Sequence, residues 1–238
     1  DGRLLMVSKD LQLAAPATGI AATLQDALDR WETVCGPLQT LYERLNEGKL
    51  KDAIAFRADT LAAPLPRAWQ WLDASAFPTH GELMQKAFDL PPIQTDPPLM
   101  YQGLSHQFFG PAEDVPLPSE EDGIDFEGEF GVIVDRVPMG TGPEEALGHI
   151  KLLVQINDWS LRAIAPVEMK TGFGWVQAKP ACSMAPFAVT PDELGDEWQD
   201  GRVCLDLHIA CNGKDFGRAN GQPMSFGFHD LVAHAART

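Results

Sequence analysis

The chain has 238 residues, 45% of them apolar and 22% charged, with a formal net charge of −16 and a pI near 4.6. That length suits one large domain, or a small domain joined to a medium one, and the apolar share is ordinary for a globular protein. So acidic a surface repels phosphate backbones and anionic lipid, which argues against nucleic-acid and membrane partners, and no apolar run reaches the roughly 18 residues of a membrane-spanning helix.

The opening "DGRLL" shows neither the basic nor the apolar region of a secretory signal and carries no initiator Met, so the protein's first residues are expected to precede it. "RLLMVSKDLQLAAPA" reads as a short hairpin turning at Lys9-Asp10. Next, Leu24, Leu28, Trp31, Val34, Leu38, Leu41 and Leu45 recur at helical spacing and form a core-facing stripe. Thr23 with Asp26 supplies a capping-box start and Gly48 a stop. Gly36-Pro37 predicts either two helices or one kinked helix.

The Pro-rich "LAAPLPRAW" (61–69) marks a boundary. Residues 1–66 are expected to form a small α+β N-terminal domain, and residues 67–238 a second, mainly β unit. In the latter, "EFGVIVDRV", "IKLLVQIND", "APFAVTP" and "VCLDLHIACNG" read as strands, with helices at 143–149 and 228–237. Trp69, Trp71 and Trp159 are expected in packing roles. Cys35, Cys182, Cys204 and Cys211 form no C-x-x-C pair and have no His at zinc-finger spacing. They read as buried thiols of a reducing cytosol, hence a cytoplasmic protein.

The chemistry concentrates in the second unit. "DFEGE" (125–129) opens an apolar run, and alternation places Asp125, Glu127 and Glu129 on one face, about 7 Å apart. Three such carboxylates repel unless the face is solvated or holds a cation. "LLVQIND" ends on Asp158, and a carboxylate closing a buried strand is costly unless paired or metal-bound. Glu127, Glu129 and Asp158 together would offer the hard oxygen ligands preferred by Mg²⁺, Ca²⁺ or Mn²⁺ and not by zinc. The alternative is an exposed strand edge whose Asp caps the following turn.

"DFEGEFGVIV", then "VQINDWSLRAI", then "QAKP" resemble in order and interval the fumarylacetoacetate hydrolase family, over roughly residues 67–238. The resemblance implies a mixed β-sandwich or roll catalytic domain with some α, preceded by the small N-terminal domain, and a homodimer. It implies that Glu127, Glu129 and Asp158 bind a divalent metal, Mg²⁺ or Ca²⁺ with Mn²⁺ as a further option. It adds Asp73 to the metal shell and His80, seven residues later in "WLDASAFPTH", as the base that activates water. Arg162 and Lys179 match the family's substrate-binding Arg and catalytic Lys, and Tyr101 matches a Tyr that holds the substrate's carboxylate end.

The sequence also departs from that pattern. The family's Gln and Tyr after its Arg fall on Ala165 and Met169, and the loop before Lys179 is one residue longer than in fumarylacetoacetase. The family's Gly-Thr loop and closing strands are expected beyond residue 238. The implied activity is metal-dependent hydrolysis of a carbon–carbon bond in a β-diketo acid such as fumarylacetoacetate, fumarylpyruvate or an acylpyruvate, in aromatic or amino-acid catabolism. A 2-oxo acid hydratase, decarboxylase or isomerase of the same family is the alternative, and a scaffold with a structural cation is the non-enzymatic one.

Overall fold

The computed structural model describes residues 2–88 and 96–238. Strands β1 (Leu5–Val7) and β2 (Leu13–Pro16) pair as the expected hairpin, and β3 (Ile54–Ala55) adds antiparallel to β2. Between β2 and β3 run helices α1 (Leu24–Asp29) and α2 (Trp31–Asn46). The Thr23 hydroxyl accepts from the Asp26 amide at 3.0 Å as read, but the Asp26 carboxylate accepts from Ala22 and not from the Thr23 amide, so the N-cap forms without the reciprocal half of the box. The break between the helices falls at Arg30 and not at Gly36-Pro37, which corrects the sequence reading. Pro37 lies inside α2, where the chain forgoes the amide bond to the Thr33 carbonyl but keeps Val34, Leu38 and Leu45 buried.

The second unit is built on the antiparallel sheet of β7 (Gly128–Val134), β8 (Ile150–Asn157) and β10 (Ser183–Met184), with β8 in the centre. Because β8 is covered on both faces over most of its length, apolar residues dominate it and Leu152, Leu153 and Val154 are buried in succession. One face carries Leu152, Val154, Ile156, Ile133 and Met184, which join Leu24, Leu28, Val34, Leu38 and Leu65 in a single apolar cluster. The N-terminal helices are thus the cover of this face. The other face carries Ile150 and Leu153, which pack with Val203, Met224 and the helix α6 (Phe228–Ala235) through Phe228 and Leu231.

Shorter pairs complete the frame. They are β4 (Leu72–Ser75) with β5 (Leu99–Gln102), β6 (Ile124–Asp125) with β9 (Ser160–Leu161), and β11 (Trp198–Gln199) with β12 (Arg202–Val203). The hairpin of β13 (Asp206–Cys211) and β14 (Lys214–Asn220) lies over the start of β7. A Cβ on Gly128 would stand 2.8 Å from the Ile209 side chain, so only glycine lets the hairpin approach this closely. Helices α3 (Pro78–Phe88), α4 (Pro143–His149) and α5 (Ala165–Thr171) fill the connections. The architecture is mainly β with some α, a C-terminal unit of small antiparallel sheets beside a small α+β N-terminal one.

Three further expectations need correcting. "APFAVTP" is not a strand. Val189 makes only an isolated bridge to Leu153, because the prolines at 186 and 191 remove ladder donors on either side. Trp69 is 88% exposed, whereas Trp71 packs edge-on against Phe108 and Trp159 donates to the Ser183 hydroxyl. Only Cys182 is a buried thiol, and the other three are half-exposed. Among the described residues no helix is long and apolar enough to cross a membrane.

Leu38 lies in the cluster shared by the helices and the sheet, so Leu38→Ala should lower the unfolding free energy by about 2–5 kcal/mol. Urea denaturation followed by circular dichroism and by tryptophan fluorescence should show both signals shifting together.

Candidate active site

The site forms at the end of the central sheet. Glu129 is the second residue of β7, and Asp158 directly follows β8, with its amide donating to the Glu127 carbonyl at 2.9 Å. Register places Asp73 of β4 directly opposite Tyr101 of β5. This cross-strand pair brings the phenol to 2.8 Å from the Asp73 carboxylate and 3.2 Å from that of Asp158. Neither short strand was read from the sequence, and their pairing is what carries Asp73 to the site.

Asp73, Glu129 and Asp158 offer carboxylate oxygens that all lie within 4.8 Å of one another. Asp158 is only 1% exposed. Its Oδ2 accepts from Lys179 Nζ at 2.5 Å and its Oδ1 from the Cys182 thiol at 3.1 Å. Glu127 stands beside this convergence and not within it. Its Oε2 accepts from Lys179 at 2.9 Å and its Oε1 from Arg162, whose Nε also donates to Asp125 at 2.8 Å.

The charges explain the titration. Glu129 is pushed well above the ordinary carboxylate range by burial, then by Asp73, Asp158 and Glu127. Asp73 is pushed up to about 7 by burial, then by Asp158. Burial alone would raise Glu127 too, but Lys179 and Arg162 outweigh it and hold this carboxyl low. Lys179 is likewise held above its ordinary value, Asp158 and Glu127 prevailing over burial. Burial and then Asp73 keep Tyr101 a neutral phenol, and burial and then Asp158 keep Cys182 a thiol.

Five acids (Asp73, Asp125, Glu127, Glu129 and Asp158) thus face two cations, Lys179 and Arg162. The acids outnumber the cations, and an all-carboxylate donor set is the kind that hard cations prefer. The residues fit a divalent metal.

The structure therefore gathers Asp73, Tyr101, Glu127, Glu129, Asp158, Arg162 and Lys179. His80 is not among them. It occupies the first turn of α3 with its ring exposed, and it makes no side-chain hydrogen bond or ion pair among the described residues. Sequence reasoning missed Cys182, Trp175 and the pairing of Asp125 with Arg162. Trp175 meets Tyr101 edge-on with ring centroids 5.9 Å apart. A thiol three residues after a lysine has no sequence signature, and Trp175 could have been suspected only from its nearness to Lys179.

The family model for the C-terminal domain of fumarylacetoacetate (FAA) hydrolase matches residues 70–238, and that for fumarylacetoacetase N-terminal domain 2 matches residues 1–67. The chain belongs to the fumarylacetoacetate hydrolase family. It is 32% identical over 148 residues to a 2,4-didehydro-3-deoxy-L-rhamnonate hydrolase of Sphingomonas sp. (strain SKA58), covering 61% of this chain and 49% of that protein. It is 25% identical over 146 residues to a mitochondrial oxaloacetate tautomerase of Homo sapiens, covering 57% and 42%. The chain thus spans about half the length of these curated relatives. Its fold is similar to that of maleylpyruvate hydrolase from Sphingobium sp. SYK-6 in complex with manganese(II) and pyruvate, with a TM-score of 0.71 and 17% identity over 99% of this chain and 80% of that one.

Asp73 has a folded pKa of about 7 against an ordinary 3.8, so folding favours its protonated form. The stability it contributes is complete below about pH 4 and is lost as pH rises through about 7. Relative to Asp73→Asn, the metal-free wild type should therefore lose melting temperature across that window. Added Mn²⁺ should restore it at pH 8, and Mn²⁺ affinity should weaken below about pH 7 as protons compete. Thermal melts and calorimetric titrations across pH test both expectations.

Proposed function

We propose that the protein is a divalent-metal-dependent hydrolase that cleaves a carbon–carbon bond in a β-diketo acid of the fumarylacetoacetate, fumarylpyruvate or acylpyruvate type. The observation that carries this reading is the convergence of Asp73, Glu129 and Asp158 beside an ammonium wired to Asp158. The names of the similar hydrolases point the same way, as does the pyruvate held with manganese in the maleylpyruvate hydrolase structure.

Asp73, Glu129 and Asp158 would hold the ion. Glu127 would join them only by giving up Lys179 or Arg162, which engage its two oxygens. A bound divalent cation would supply Lewis-acid polarisation of a 2-oxo acid's oxygens. Lys179 keeps its charge and stands ready for the negative charge that develops as the enolate of pyruvate leaves. Arg162, half-buried and fixed by Asp125 and Glu127, offers a guanidinium suited to the substrate carboxylate. Tyr101 remains protonated and can donate a hydrogen bond, or a proton to the departing carbon.

One observation favours a second reading within the family, a 2-oxo acid tautomerase or isomerase. His80, the candidate base for an attacking water, stands apart from the carboxylates, whereas Tyr101 can move a proton without any water. With Mn²⁺ present, an acylpyruvate should be cleaved with loss of its enol absorbance, and a chelator should abolish turnover. Asp158→Ala should lose both turnover and Mn²⁺ binding. His80→Ala tests whether His80 is the base. Cleavage should slow by about 10²–10⁴-fold at unchanged Mn²⁺ affinity if His80 reaches the substrate, and stay unchanged if it remains apart from the carboxylates as it stands here. A wild type that leaves acylpyruvates uncleaved but speeds enol–keto exchange of oxaloacetate would replace the hydrolase with the tautomerase, and full cleavage in His80→Ala would remove only His80 from the mechanism.

The protein is further proposed to act as a homodimer. The β13–β14 hairpin presents Phe216, 66% exposed, beside Phe126. Sedimentation velocity at micromolar concentration should show a dimer, and a clean monomer would count against it.

A further inference from the structure

Residues 172–178 form a strap between α5 and Lys179. Its outer residues are not held by packing. Phe173 is 97% exposed and Val176 74%, and a Cβ on either Gly172 or Gly174 would meet nothing within 4 Å. Those glycines have φ of +73° and +97°, so the ascending arm takes a path open mainly to glycine. The descending arm is fixed differently. Glu168, on the exposed side of α5, accepts from the amides of Val176 at 3.0 Å, Gln177 at 2.9 Å and Ala178 at 3.0 Å.

Three consecutive amides on one carboxylate are charge-assisted bonds and roughly twice as strong as neutral ones. They outweigh desolvation and hold Glu168 below the usual carboxylate range. Immediately before these amides Trp175 lies edge-on to Tyr101, and immediately after them Lys179 reaches Glu127 and Asp158. Ala178 is fully buried, and its carbonyl accepts from Leu161, which gives the strap a second anchor at its lower end.

We propose that Glu168 is a positioning residue for the acidic site, gathering the amides of residues 176–178 so that Trp175 is set against Tyr101 and Lys179 against Asp158. Its effect on turnover rests on the reading of Lys179 given under Proposed function, whereas its effect on geometry does not. Misplacement of a reacting group by even about 1 Å can cost on the order of 100-fold in rate.

The test compares Glu168→Ala and Glu168→Gln with the wild type by acylation of lysines with an N-hydroxysuccinimide ester, and by amide exchange, both read by mass spectrometry. Lys179 should resist acylation in the wild type and react about tenfold faster or more in Glu168→Ala, because losing bonds to a charged acceptor opens the segment locally. Glu168→Gln, which keeps one acceptor oxygen, should fall between. Faster amide exchange should be confined to residues 172–179, with the melting temperature nearly unchanged, and kcat on an acylpyruvate should fall in the same order as protection.

Unchanged acylation and exchange in both variants would overturn the proposal, whatever happens to activity. Loss of the whole fold in both would overturn it too, because Glu168 would then hold the domain and not the strap. Faster acylation with full turnover would uphold the positioning and instead remove Lys179 from the mechanism.

Discussion

Asp158 is a carboxyl group sealed from water at the end of the central strand, and much of the second unit is arranged around its need for partners. An unpaired carboxylate in such a place would be protonated or would unfold its surroundings. Here Lys179 and Cys182 donate to it from one segment of the chain, and the Tyr101 hydroxyl, shared with Asp73, approaches from another. Its own amide fastens the stretch between β6 and β7 by bonding to Glu127. The same partners exact a cost. Lys179 must also satisfy Glu127, so Asp73 and Glu129 are left to repel Asp158 and each other across a buried space. A site with unresolved repulsion is prepared for an outside positive charge.

How much of this was legible follows from where the information lies along the chain. Motifs carried by one uninterrupted segment could be read. The terminal Asp of "LLVQIND" and the capped helix after Thr23 declare themselves through burial cost and capping chemistry, whereas the single strand expected through "DFEGE" breaks at residues 126–127, which puts Asp125 on β6 and Glu129 on β7. The family resemblance then supplied Asp73 and Tyr101, which spacing alone could not have joined. Their neighbourhood depends on a four-residue pairing across 28 positions of sequence, and such short strands leave almost no periodic signal. The misplaced helix break has a physical reason as well. Pro37 has the chemistry of a helix breaker, yet the apolar face of α2 buries enough surface against the sheet to carry the helix past one lost bond.

The N-terminal third is best understood as part of the sheet's packing. Its residues supply about half of the apolar cluster on the face that bears Leu152, Val154 and Ile156, although the family models divide the chain at residues 67–70. A boundary in sequence similarity is here not a boundary in the core. The position of Ile156, two residues before Asp158, therefore owes something to side chains more than a hundred residues away.

Along β7, Glu129, Gly131 and Ile133 stand opposite Ile156, Val154 and Leu152 and share one face. The glycine leaves room for the Ile156 side chain, the isoleucine enters the apolar cluster, and the glutamate at the end of the row enters the site. Site and core are thus written in one alternating pattern. Adding or removing a single residue between Glu129 and Ile133 would turn one set inward only by turning the other outward. The strand can accept exchanges of side chain one at a time, but not a change of length. Its acid is kept in place by the same arithmetic that keeps the protein folded.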